Sequence, residues 1–312
     1  MTSAVVLRLS LVGHDKLDDT MHPAPSSKND ISVRMASGTE AVLVLDVGSS
    51  SVRCSVYREG ECLAHYSYKM AVVDPVSGRL NLGDCHDRDN LFNVLDFCID
   101  QTLAGLDPSI QIRALGFSSL CMNLIGVDSG GTPLGPGTSL SYACRSAKVT
   151  SELEELCSSV GEERASHIYE KTGCYLGGSS YAVGQLRVGY SDPSQAFHEV
   201  SQWQTITSIA LSRWLTHEES FKFPISYSEA SWSGLLNYRT CRYEPDILEL
   251  LPTAAVKALP PLADIDELSL HALKSSYKNR WPALVTARFF LGVGDGACAN
   301  VGSKCAHPSR IA

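Results

Sequence analysis

No apolar stretch in this 312-residue sequence reaches the roughly 18 residues needed to cross a bilayer, so no membrane-spanning helix is expected. Positive charge is also scarce. The 26 Lys and Arg stand against 34 Asp and Glu, a net charge of −8, which argues against a broad basic surface for nucleic acid and leaves room only for a local anion site. There is no C-x-x-C among the 11 cysteines, which are scattered from Cys54 to Cys305 without histidines at ligand spacing. Neither a zinc site nor a redox dithiol is signalled, and the cysteines read as free thiols of a cytoplasmic protein in a reducing compartment. The nine histidines are dispersed, none beside a nucleophile at triad-like spacing. A G-K-[ST] is missing too, which excludes a P-loop.

What remains is an ordinary globular composition, 44% hydrophobic and 19% charged, with room for one large or two medium domains. Residues 1–40 hold one short apolar run, Ala4 to Val12, followed by charged residues and no small-residue cleavage pattern. They read as a disordered extension rather than a signal peptide. Beyond them "VLVLDVGSSSVRCSVY" reads as a hairpin, Val42 to Val47 and Val52 to Tyr57 around a Gly-containing loop. The spacing of Leu91, Leu95, Cys98 and Ile99 predicts a helix over 89–103, and Val149, Leu153, Leu156 and Val160 predict another. Between them "ALGFSS" and "NLIGVDSGGTPLG" read as strand, strand and Gly-rich turn. From Ser201, "SQWQTITSIALSRWL" reads as helix, and the stretch from Gly292 as a Gly-rich turn and strand, "CANVGSKC" lacking a sheet of its own. Strands and helices alternate, so the fold class expected is α/β with a mixed sheet and flanking helices.

Two short motifs carry chemistry. Asp46 ends a buried strand and is followed by Gly48, Ser49, Ser50 and Ser51, with Arg53 beyond. Backbone N–H groups and hydroxyls converging beside a carboxylate suit a phosphate whose charge is shared with Mg²⁺. A plain hairpin, with Gly48 at positive φ and the serines as exposed turn formers, accounts for the same residues. The second motif, "GDGACAN", sets Asp295 between two glycines, where little bulk would hinder a hydroxyl from reaching its carboxylate. A G-D-G is equally a turn.

Taken in order, these stretches resemble the FGGY carbohydrate kinases of the actin-like ATPase superfamily. The resemblance runs from about Ala41 to Cys305: "LDVGSSSVR" is similar to the first phosphate motif, "SSLCMNLIGVD" to the sugar-contact strand, "TGCYLGGSSY" and "SYSEASWSGLLNYRT" to the gluconokinase-like branch, and "GDGACANVGS" to the catalytic-Asp motif. It implies a ribonuclease-H-like, actin-type domain over 41–290, with 291–312 a truncated start of a second domain that is largely missing. It implies a carbohydrate acceptor (gluconate, a pentulose or a polyol), ATP as phosphate donor and Mg²⁺. Asp46 would then sit at the metal, Gly48, Ser49, Ser50 and Arg53 at the ATP phosphates, and Asp295 would be the general base. Met122, Asn123 and Arg145 fall where relatives contact the sugar.

Three departures stand out. Met122 occupies the place of a sugar-binding His in the S-S-x-x-H-S-L pattern, and Cys144 in "SYACRS" replaces the acid that accompanies the retained arginine. The chain also ends soon after Asp295. Two functional expectations follow: an ATP-dependent sugar kinase, or a non-catalytic descendant that binds sugar or a partner.

Overall fold

The computed structural model describes residues 40–84 and 87–305; the extension expected over 1–40 lies almost wholly outside them. A five-stranded sheet forms the centre. It contains the hairpin β1 (Glu40–Val47) and β2 (Ser51–Arg58), then β3 (Glu61–Lys69), β4 (Gln111–Ser119) and, far along the chain, β12 (Arg288–Gly294). The spatial order is β12-β4-β1-β2-β3. β1 runs parallel to β4, and β4 parallel to β12, whereas β2 and β3 are antiparallel. This explains the near-continuous apolar runs of β1 and β4: interior parallel strands are covered on both faces, and Leu43, Leu45, Leu115 and Phe117 are fully buried.

Helix α1 (Leu91–Ala104) packs on β2 and β3. It begins two residues later than the periodicity suggested because Asn90 is its cap, its side chain accepting from Phe92 N at 3.0 Å. A smaller sheet follows, in the order β6 (Ser139–Ser141), β5 (Asn123–Val127), β7 (Gln202–Gln204). Against it lie α2 (Ala147–Val160), α3 (Glu162–Thr172) and α4 (Ala182–Tyr190), sharing a second apolar cluster that includes Leu124, Leu153, Leu186 and Trp203. The expected helix from Ser201 is therefore split. Gln202 to Gln204 pair with β5, and α5 (Ile206–Trp214) starts only after Thr205, whose hydroxyl accepts from Ser208 N at 3.3 Å.

The remaining elements are short: β8 (Ile225–Ser226), α6 (Tyr227–Ser231), β9 (Leu236–Asn237), β10 (Arg242–Tyr243), α7 (Pro245–Leu248), α8 (Thr253–Lys257), β11 (Leu262–Ala263) and α9 (Ser275–Arg280). After β12 the chain enters α10 (Asp295–Gly302). Where the sequence suggested a turn and a strand there is a helix, with Asp295 as its acidic first residue, the charge a helix N-terminus favours. β12 lies in the central sheet, so the boundary expected at 290/291 falls inside a strand that pairs with β4. Among the described residues no helix is long and apolar enough to cross a membrane.

Candidate active site

Three parallel strands, β1, β4 and β12, end side by side, and their registers align the residues there. Asp46 on β1 is the partner of Ser118 on β4 and, across the hairpin, of Arg53 on β2. Ser118 and Ser119 are in turn the partners of Val293 and Gly294 on β12. Asp295, next in the chain, is thereby delivered to the same edge as Asp46, although 249 positions separate them in the sequence numbering. The crevice at the carboxyl ends of parallel strands is where open α/β sheets bind ligands.

Asp46 is pulled in opposing directions. Burial pushes its carboxyl above the ordinary carboxylate range; Arg53 draws it down, Asp295 pushes it up again, and a hydrogen bond from Ser118 lowers it. The Arg53 guanidinium stands 3.3 Å from Asp46 Oδ2. Two carboxylates at this edge share one half-exposed arginine, and a cation is the natural complement. Among the described residues no three His, Cys, Asp or Glu side chains gather into a protein-built metal cage. A lone carboxylate is nevertheless the donor set Mg²⁺ takes when the other ligands are phosphate and water, so Asp46 fits that ion.

The hairpin loop is built differently from expectation in one respect. Gly48 is not at positive φ. Its N–H donates to Ser51 O at 3.0 Å, which closes the turn, and the Arg53 guanidinium packs beside it, 3.5 Å from where a Cβ would stand. Ser49 and Ser50 are exposed at the tip, their carbonyls tied to the chain after β3 through Val72 N (2.9 Å) and Met70 N (3.3 Å). The loop is thus fixed through its backbone, with Ser49 and Ser50 exposed at its tip.

Asp295 Oδ1 accepts from the Cys121 thiol at 3.0 Å and from Gly296 N at 2.8 Å. Cys121 belongs to the sharp corner between β4 and β5. At that corner Met122 adopts φ +49°, a left-handed conformation that costs a non-glycine residue roughly 1 kcal/mol or more and marks sites held by their surroundings. Met122 is buried within the second apolar cluster and also lines a small cavity with Cys121, Asn123, Thr205, Glu229 and Gly294. Asn123 lines the cavity too, but its amide is engaged: Nδ2 donates to Leu120 O at 2.6 Å, and Oδ1 accepts from Ile206 N at 2.8 Å. It pins the corner to the start of α5. Arg145 is exposed between β6 and α2 and is not among the residues lining this cavity. Of the residues singled out by sequence, Asp46, Arg53 and Asp295 come together, Met122 and Asn123 flank them, and Arg145 stands apart.

Sequence reasoning missed Ser118, Cys121 and Glu229. The last is buried beneath β12, its Oε1 accepting from Thr207 Oγ1 at 2.7 Å, and burial raises its carboxyl pKa. A Cβ at Gly292 would meet that oxygen at 2.8 Å, so the strand passes this carboxyl only because residue 292 has no side chain.

The sheet order, the mixed strand directions and the two carboxylates at the strand ends define an actin-type, ribonuclease-H-like domain. The chain belongs to the FGGY family of carbohydrate kinases: the model of that family's N-terminal domain matches residues 41–302. An autoinducer-2 kinase from Escherichia coli is 27% identical over 219 residues, covering 67% of this chain and 37% of that protein. Among solved structures, gluconate kinase from Lactobacillus acidophilus superposes with a TM-score of 0.64 at 19% identity, over 83% of this chain and 48% of that one. Plasmodium falciparum glycerol kinase with ADP gives 0.65 at 15% identity, over 83% and 49%. Those likenesses speak for the fold, and the chain spans half or less of the length of the relatives it matches.

Proposed function

We propose that this chain supplies the acceptor side of an ATP-dependent carbohydrate kinase, with Asp295 as general base for the hydroxyl that is phosphorylated. The observation that carries this is the convergence of Asp46, Ser118 and Asp295 at the ends of three parallel strands. Cys121 and Gly296 hold one oxygen of Asp295, which fixes the carboxylate for proton transfer from the acceptor. Asp46 would hold Mg²⁺, which when bound shares the charge of the transferring phosphate. Arg53 and the hydroxyls of Ser49 and Ser50 would take the outer phosphate oxygens, with Gly48 shaping the loop that presents them. Met122 and Asn123 would form the floor against which the sugar lies, while Arg145 would reach it only from the rim. Phosphoryl transfer asks little covalent chemistry of the protein, so positioning and charge carry the rate.

A non-catalytic carbohydrate binder would need neither carboxylate at the strand ends, and the presence of both favours the kinase. The test is Mg²⁺- and acceptor-dependent ADP release by the native protein over gluconate, D-xylulose and glycerol. Release with at least one acceptor is expected. A folded protein that is silent with every acceptor, at saturating Mg·ATP, would overturn the assignment.

A further inference from the structure

Trp232 directly follows α6, next to Ser233 of the cavity lining. Its indole lies along the corner where β12 turns into α10. A Cβ at Gly294 would meet Trp232 Nε1 at 3.1 Å and Cδ1 at 3.2 Å, and one at Gly296 would meet Cζ2 at 3.5 Å. The ring therefore spans the two glycines on either side of Asp295. Cys121 Sγ would stand 2.9 Å from the same Cβ on Gly294, so the thiol and the indole both occupy the space that a side chain at this position would need.

The same side chain is unusual in its exposure. Trp203, Trp214 and Trp281 are completely buried, whereas Trp232 is 42% exposed. A large ring left in water forfeits the burial that usually places tryptophan, and this one is left so beside the carboxylate of the candidate site. Indole offers a flat apolar face and a single N–H donor. That pairing matches a carbohydrate, which has an apolar C–H face and a rim of hydroxyls.

We propose that Trp232 is a specificity-determining residue that takes the C–H face of a carbohydrate acceptor while one of the acceptor's hydroxyls points to Asp295. This rests on the kinase reading for the reaction, but it is tested by binding alone. The other three tryptophans are sealed in the core, so solvent-sensitive emission reports on Trp232. The experiment titrates the native protein with gluconate, D-xylulose and glycerol, following emission and acrylamide quenching, with calorimetry as an independent measure of binding. Any carbohydrate that binds by calorimetry should shift the emission to the blue and shield it from acrylamide along the same saturation curve. Trp232→Phe should abolish the optical change and keep affinity within about threefold, while Trp232→Ala should weaken binding about tenfold, the worth of one aromatic contact. Circular dichroism of both variants establishes that they are folded. An acceptor that binds calorimetrically with no change in emission, or with equal affinity for wild type and Trp232→Ala, overturns the role of Trp232 and leaves the kinase reading standing. Emission already shielded from acrylamide in the free native protein also overturns it, because the ring is then covered by protein. If no carbohydrate in the panel binds, the role of Trp232 falls, and the kinase reading is decided separately by acceptor-dependent ADP release.

Discussion

The Cys121 thiol donates to Asp295 Oδ1 at 3.0 Å, linking the β4–β5 corner to the first residue of α10. Burial, reinforced by the neighbouring carboxylate, pushes the Cys121 pKa up to about 12. The thiol therefore stays protonated at neutral pH and acts as a donor, not as a nucleophile. Iodoacetamide at pH 8 should modify the exposed Cys62 and Cys241 well before Cys121, as read by peptide mass spectrometry. Cys121 modified as fast as Cys62 would show that the thiol is not held against Asp295.

Removing that donor should act on turnover more than on binding. Cys121→Ala leaves Asp295 held by Gly296 N alone on this side, and a lost hydrogen bond to a charged group is worth about 1.5–3 kcal/mol, of which orientation of the base is one part. A fall in kcat of about tenfold with KM nearly unchanged is expected, since the carboxylate is misplaced and the acceptor contacts remain. An equal rise in KM would place Cys121 in substrate binding instead.

Asp46 illustrates a functional group held at a cost to the fold. Its carboxyl is raised above the ordinary value, burial being the largest cause. A raised acid in the folded state means that folding favours its protonated form, so stability falls as pH rises from the unfolded value of 3.8 through the raised folded value. Asp46→Asn should therefore melt higher than wild type at pH 7, with the gap closing as pH falls below the unfolded value. The same variant should lose Mg·ATP-dependent turnover. A lower melting temperature at pH 7 would make Asp46 a partner of Arg53 that the fold needs, rather than a group retained for a cation.

Far from the strand ends, Asp96 of α1 ties the other side of the core. It accepts from Trp214 Nε1 at 2.7 Å, Tyr277 OH at 3.1 Å and Arg280 NH1 at 2.9 Å, and is itself buried. Asp96→Ala strands these donors and should cost about 3 kcal/mol in urea unfolding, without a specific effect on acceptor affinity. A loss below about 1 kcal/mol would mean that water replaces the carboxylate freely.

Much of this was readable from the chain. The β1–β2 hairpin follows from two β-branched runs around a glycine-serine loop, and α1 and α2 follow from apolar residues at three- and four-residue spacing. The pairing of β4 with β1 and β12 did not, because parallel register is set by contacts remote in sequence that leave no local pattern. Ser118 is a case in point. It opens the stretch likened to the sugar-contact strand, but only the register places it opposite Asp46. Asn123 is a different case: the resemblance suggested sugar contact, and only the structure reveals that its amide is already bonded at both ends. In "GDGACANVG" the glycines masked a helix, because glycine argues for a turn until the preceding strand is seen to deliver Asp295 into a helical first turn. Trp232 carried no signal of its own, since an indole in a segment without clear periodicity is more often core than site.

The most direct test of the central claim is Asp295→Asn in the native protein, measured as acceptor-dependent ADP release with the carbohydrate that supports the highest wild-type rate. Asparagine preserves size and accepts the Cys121 and Gly296 hydrogen bonds through its carbonyl, yet it cannot take a proton. The account predicts that kcat falls about 10²–10⁴-fold, with the melting temperature and the acceptor affinity close to wild type. Turnover within a few-fold of wild type would contradict it, because the carboxylate brought to the end of β12 would then not be the base.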